Sequence, residues 1–311
     1  MIIYKLPDCT IVPSLPEGAV LALGNFDGVH RGHQCLFETA REMCGPDAGT
    51  ACCVWTFDSL AKAEDGAACL TDMNAKLALF SEYGLDYAVF ESFDEIRHLS
   101  CADFVSRILS EGHKAGGVVC GFNFRFGNGG EGDADLLCAL CDEKGISHRV
   151  VPPVAVGDIV VSSTKIRELI QGGDMEGAYE LLGHPYSISF PVVHGNEIGR
   201  KMGIPTINQS FAEGHCIPGQ GIYACTVFVD GGIYLGVANV GVRPTVSNGT
   251  VVNCETHIIN YSGDLYGREI KVEFYERLRE EMKFDSIDAL RRQIKIDISE
   301  CLDYFCQRFG S

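Results

Sequence analysis

The sequence predicts two folds in one chain: an α/β domain with a mostly parallel sheet, then an antiparallel β-barrel or sandwich closed by a helix. Three observations predict this. In the first half, short apolar runs alternate with helical patterns, as in a parallel sheet covered on both faces. After about residue 183, strand-like runs follow one another through glycine-rich turns, as in an antiparallel sheet that curls on itself. The final stretch carries apolar residues at spacings of three and four, a helical period.

The elements follow in order. VLALG, CVWTF, DYAVF, GVVCG and SHRVV read as strands, and helices are predicted over 31–44, 73–83, 101–112 and 133–144. SISFPVV, IYACTVFV, IYLGVANV, NCETHIIN and EIKVEFYE read as later strands, with turns at DGG 230–232 and SGD 262–264. Ile287, Leu290, Ile294, Ile298, Leu302 and Phe305 make one apolar stripe, read as core packing. The boundary is placed near LLGHPYS, giving domains 1–183 and 184–311, with no repeat or low-complexity linker between them.

The bulk numbers bound the function. The chain has 311 residues, 46% of them hydrophobic, and a formal net charge of -17. Such acidity argues against nucleic-acid binding, which requires a basic face. Fifteen cysteines are scattered, and the CxxC of Cys138 and Cys141 lacks the second pair that a zinc site needs. They read as buried thiols. The start shows no signal pattern and no apolar run approaches the ~18 residues of a membrane helix. A cytoplasmic protein is expected, with no membrane, nucleic-acid or protein partner implied.

Three stretches of the first half carry chemistry. GNFDGVHRGH (24–33) lies between a strand and a helix, where parallel sheets bind ligands. His30 and His33, three apart, share one face of a first helical turn. Unpaired N–H groups there favour anions, and Gly28 and Gly32 permit close approach of a ligand. Two surface histidines on an ordinary helix start are the bland alternative. In VSSTKIRELI (161–170), Lys165 and Arg167 occupy the first turn of a helix capped by Ser162, Ser163 or Thr164. Cations are unfavourable there, so an anion is expected, or else a solvated surface helix. GFNFRFGNGGEG (121–132) is either a loop that stacks a flat ring and bonds it through Asn123, or a hairpin-like loop with buried aromatics. Neither a GxxxxGK[ST] loop nor a GxGxxG after the first strand is present.

In this order, GNFDGVHRGH, GFNFRFG and VSSTKIR resemble the adenylyltransferase half of bacterial bifunctional riboflavin kinase/FAD synthetases. That half is a Rossmann-like HxGH nucleotidyltransferase, with HRGH as the HxGH here. The resemblance implies transfer of AMP from ATP to FMN, with release of pyrophosphate. It puts His30 and His33 on the α-phosphate. It places Gly24, Asn25, Phe26, Asp27, Gly32 and Asn123 around the nucleotide, Ser163, Thr164 and Arg167 on the phosphates, and Phe57 and Phe124 toward the flavin. The chain departs from the family at FDSLAKAEDGAACLTD, where a proline- and histidine-containing turn is usual.

In the second half, GNEIGRKMGIPTIN (195–208) reads alone as a glycine-rich loop in which Thr206 and Asn208 face the same way. Their oxygens suit Mg²⁺. The segment resembles the G-R-x-x-G-x-P-T-x-N signature of riboflavin kinase. This implies nucleotide contacts from Gly199, Arg200, Gly203, Pro205, Thr206 and Asn208, with Mg²⁺ on Thr206 and Asn208. PGQGIYA (218–224) and NVGVRPT (239–245) match turns of that family. CETHIINYSGDLYG (254–267) matches the segment with the catalytic glutamate, Glu255, on the opposite strand face from Cys254 and Thr256. LREEMKF (278–284) matches the flavin-side segment, with Arg279 and Phe284. The preferred reading is a bifunctional enzyme that makes FMN from riboflavin and FAD from FMN. A kinase alone, or a flavin- or nucleotide-binding regulator without turnover, are the alternatives.

Overall fold

The computed structural model describes residues 1–45, 49–57, 68–195, 199, 203–244 and 250–310. It divides into two compact units, Met1–Ser163 and Thr164–Ser311.

In the first unit β1 (Ile2–Lys5), β2 (Thr10–Val12), β3 (Val20–Leu23), β4 (Cys52–Phe57), β5 (Tyr87–Glu91), β6 (Gly117–Gly121) and β7 (Ser147–Val151) form one sheet. Its order is β2-β1-β5-β4-β3-β6-β7. β3 to β7 run parallel, and β1 and β2 extend the edge antiparallel. The five parallel strands are those expected; β1 and β2 are additions. They are short, and Pro7 separates them, so neither shows a strand period.

Both faces of the sheet are covered. Val20, Ala22, Val54 and Phe90 face α1 (Arg31–Cys44) and α2 (Met73–Glu82), which contribute Leu36, Phe37, Leu77 and Phe80. Short α3 (Phe93–Ile96) and α4 (Cys101–Asp103) lead into a π-helical segment, Phe104–Gly112. That segment and α5 (Ala134–Lys144) pack Phe104, Leu109, Leu137 and Cys141 on Leu21, Leu23, Trp55 and Val118. Each fully buried phenylalanine is worth about 1.5–3 kcal/mol. β3 pairs with β4 on one side and β6 on the other, so the strand order reverses at its C-terminal end. That is the topological switch point, where ligands bind in open α/β sheets.

A small hairpin, β8 (Ala155–Val156) and β9 (Ile159–Val160), precedes α6 (Ser163–Gly172) and α7 (Met175–Leu182). The expected boundary at 183/184 falls one helix pair after the division between the units. α7 is part of the second unit, where its Glu176 accepts from Arg308 at 2.9 Å. There β10 (Tyr186–Pro191), β11 (Thr206–Ser210), β12 (Gly221–Val229), β13 (Gly232–Pro244), β14 (Thr250–Ile258) and β15 (Glu269–Arg279) form an antiparallel sheet, ordered β10-β15-β12-β13-β14-β11. Val193, just past β10, bridges to Asn208 of β11, which brings the two edges together. The buried Gln209 Nε2 donates to Phe190 O and Ile270 O, both at 2.7 Å.

α8 (Ile287–Phe309), capped by Ser286, packs Cys301 and Phe305 on Ile222, Ala224 and Val237. The stripe expected on this helix needs correction. Ile287 is 66% and Leu302 42% exposed, while Asp297 is 1% exposed. Arg279 makes that burial tolerable by donating to Asp297 through Nε (2.7 Å) and Nη2 (2.8 Å), with Gln293 adding a third bond. A pattern built from apolar residues passes over an inward aspartate.

Candidate active sites

The first site is built on the turn that leaves β3. Phe26 (φ 51°), Gly28 (φ 82°) and Val29 (φ 40°) all adopt left-handed backbone, which costs energy for the two residues that carry side chains. The surroundings hold it there. Asp27 turns inward, and its Oδ1 accepts from Leu70 N (2.9 Å) and Thr71 N (3.2 Å). Gly28 N donates to Thr71 Oγ1, and Asn25 O accepts from Thr56 Oγ1 (3.1 Å) and Lys76 Nζ (2.7 Å). Phe26 is fully buried against Phe37 and Phe80. At Gly24 a Cβ would stand 3.1 Å from the Phe26 ring. Asn25, Phe26 and Asp27 thus shape the turn with the groups named.

His30 caps α1: its Nδ1 accepts from His33 N at 3.3 Å. An imidazole that accepts at Nδ1 carries its proton at Nε2. His30 and His33 stack with centroids 3.6 Å apart and planes 15° apart. Gly32 makes room for this, since a Cβ there would lie 3.1 Å from His30 Cε1. Phe26 meets the His33 ring edge-on. The His33 Nδ1 is buried with no hydrogen-bond partner among the described residues. Burial, then His30, then Lys76 hold the His33 pKa well below its ordinary 6.5. His33 is therefore neutral at physiological pH. Lys76, 3% exposed, has its own pKa lowered by burial, partly offset by Asp27.

The other predicted residues of this half fall on both units. Ser163 Oγ donates to Asp27 O at 2.9 Å, which ties the start of α6 to the turn. Thr164 and Arg167 follow in the second unit. Asn123 is exposed just past β6, and Phe124 stacks on the buried Phe126. Both readings of this loop thus have a counterpart: Phe126 bridges to Gly132 like a hairpin, while Phe122 is 49% exposed. Phe57 ends β4, edge-on to Trp55 and Phe93. The divergent stretch after it, 58–67, lies outside the described residues. Lys76 was not anticipated. Its signal was a lysine on the inward face of α2, beside Leu77 and Phe80.

The second site is a row across the sheet. Asn208 of β11 lies directly opposite Glu255 of β14, and Glu255 lies opposite Asn239 of β13. Directly opposed residues share a face. Cys254 and Thr256 are fully buried on the other face, while Glu255 is half-buried, as the alternation predicts. Asn253 Nδ2 reaches both Glu255 Oε1 (3.3 Å) and Asn208 Oδ1 (3.5 Å).

A cavity of about 370 Å³ opens beside this row, lined by Gly195, Gly199, Pro205, Thr206, Asn208, Glu255 and the 261–266 connection. Gly195 lets the chain lie on Asn208, Gly199 O accepts from Ile204 N at 2.9 Å, and Gly203 has a left-handed φ of 75°. Arg200 lies outside the described residues. The flavin-side residues sit apart from the cavity lining. The Arg279 guanidinium is committed to Asp297 and Glu280 O, and lies 5.9 Å from the half-buried Phe284 ring. Asn239 and Asn253 were not singled out from sequence, because polar residues on a half-exposed strand face are ordinary.

Comparison with known proteins agrees with this division. The FAD synthetase family model matches residues 12–165, and the riboflavin kinase model matches 182–305. A bifunctional riboflavin kinase/FMN adenylyltransferase of Escherichia coli K12 is 37% identical, with 93% of each chain covered. That of Pseudomonas fluorescens is 35% identical over 91% of this chain and 92% of its own. A crystal structure described as a macrolide-efflux protein from Streptococcus pneumoniae is 30% identical and has a TM-score of 0.83. It covers 92% of this chain and 94% of its own. The chain belongs to the bifunctional riboflavin kinase/FMN adenylyltransferase family.

Proposed function

We propose that the barrel transfers the γ-phosphoryl group of ATP to riboflavin, and that the α/β unit joins the AMP of a second ATP to the resulting FMN. The observation that carries this reading is the pairing of two different sites in one chain. One is a histidine stack at a switch point, and the other a carboxylate in a row of amides beside a cavity.

In the barrel, Glu255 accepts the proton of the primary alcohol as its oxygen attacks the γ-phosphorus and ADP leaves. Asn253 holds the carboxylate. Thr206 and Asn208 present oxygens from one strand face, and Asn208 Oδ1 accepts a long contact from Asn253. Hard oxygens beside a carboxylate fit Mg²⁺, which when bound would neutralise phosphate charge. Gly199, Arg200, Gly203 and Pro205 shape the nucleotide side, with Arg279 and Phe284 on the flavin side.

In the first unit an oxygen of the FMN phosphate attacks the α-phosphorus of ATP, and pyrophosphate leaves. This nucleophile is already an anion, so no base is needed. His30 and His33 donate to the charge that builds on the α-phosphate. Ser163, Thr164 and Arg167 serve the phosphates, Asn123 the nucleotide, and Phe57 and Phe124 the flavin. Among the described residues no helix is long and apolar enough to cross a membrane. All fifteen cysteines are free thiols, which supports a reducing cytoplasm.

Incubation with riboflavin, ATP and Mg²⁺, with FMN and FAD resolved by chromatography, tests the reading. Both products are expected. FMN alone would leave a kinase, and neither product would leave a binding protein.

A further inference from the structure

The row through Glu255 extends beyond the two residues that flank it. Asn239 lies opposite Ile222 of β12, and Ile222 lies opposite Arg279 of β15. One face of five strands therefore reads Asn208, Glu255, Asn239, Ile222, Arg279. The nucleotide signature stands at one end, and the segment carrying Arg279 and Phe284 stands at the other. That segment also folds over β13, where Glu281 closes on Gly241, two residues past Asn239 on the same face. An alcohol whose ring lies against this segment must reach Glu255 by crossing Asn239, one strand spacing (~4.8 Å) away.

Asn239 is built for such a passage. Its Oδ1 is buried and has no hydrogen-bond partner among the described residues. Leaving a buried amide oxygen unpaired costs free energy that a bound hydroxyl recovers. Glu255 cannot supply that bond, because a carboxylate only accepts. The missing partner must donate, and a polyol has hydroxyls to give.

We propose that Asn239 accepts a hydrogen bond from a chain hydroxyl of the acceptor alcohol and sets its terminal hydroxyl against Glu255. The inference rests on the riboflavin kinase reading of the barrel. It makes Asn239 a specificity residue for the polyol side chain, separate from the nucleotide site.

Steady-state phosphorylation by the full chain tests it, with Asn239→Ala and Asn239→Ser compared with wild type. One lost hydrogen bond corresponds to about tenfold. In Asn239→Ala the KM for riboflavin should rise about tenfold, while the KM for ATP and the conversion of supplied FMN to FAD stay within twofold. Asn239→Ser keeps an acceptor and should recover part of the loss. Riboflavin analogues lacking single ribityl hydroxyls supply the decisive readout. One of them should be penalised in wild type, and that penalty should vanish in Asn239→Ala. If the riboflavin KM does not move, if both KM values rise together, or if the penalty persists in the variant, the assignment of Asn239 is overturned while the kinase reading stands. A wild type that cannot phosphorylate riboflavin overturns the kinase reading itself, and this inference with it.

Discussion

The two sites solve related problems with opposite materials. The site on β3 is a strained turn with inward-facing polar groups, and the residues proposed to work there are two stacked imidazoles. The site on the barrel is a flat row of side chains from strands in regular register, with a carboxylate at its centre. The nucleophile explains the difference. An alcohol holds its proton tightly and needs a base close by. A phosphate monoester is already ionised, and a carboxylate facing it would repel it. The one carboxylate in the β3 turn, Asp27, is turned away and spent on backbone N–H groups.

The largest expected effects break the comparison outright. Glu255→Gln should lower riboflavin phosphorylation by about 10³-fold and leave FMN adenylylation intact. His33→Ala should do the reverse, lowering adenylylation by roughly 10²–10³-fold. Assays with riboflavin and with supplied FMN separate the two. If either variant loses both activities while still folded, the division of labour fails. A smaller effect is expected at Gly32. In Gly32→Ala the new methyl presses on the His30 ring, and adenylylation should fall about tenfold with phosphorylation unchanged.

The smallest effect sharpens the contrast in charge. Folded His33 refuses a proton that the unfolded chain takes up below about pH 6.5. The first unit should therefore lose stability as pH falls below that value, by at most ~1.4 kcal/mol per pH unit. His33→Gln should flatten this slope. Trp55, the single tryptophan, lies buried in the first unit, so its fluorescence during urea unfolding of the intact chain reports the change.

Legibility in the sequence followed the same contrast. The parallel strands and their helices announced themselves through apolar runs and period, and HRGH stood out because of its place at a seam. The face that Glu255 takes was legible through alternation against Cys254 and Thr256, while its role came only with the resemblance to riboflavin kinase. Residues whose importance depends on a neighbouring strand were not. Asn239 matters through its pairing with β14, and Asn253, itself on β14, through its reach to Asn208 of β11, and such partners are far apart in the chain. Lys76 matters through a carbonyl 51 residues away. β11 was hidden inside a glycine-rich stretch that reads as loop, since only its contact with β14 makes it a strand.

The cross-strand row also bears on how this half of the molecule can evolve. A strand alternates its faces with every residue, so removing one residue from β14 ahead of Glu255 would turn the carboxylate into the barrel interior and bring a thiol or a threonine out in its place. Point substitutions along the row can be sampled one at a time, but a change of length there cannot be made by degrees. Insertions and deletions among descendants of this chain should therefore collect in the connections, such as 211–220 and 261–266, and leave the counting of β11, β13 and β14 untouched.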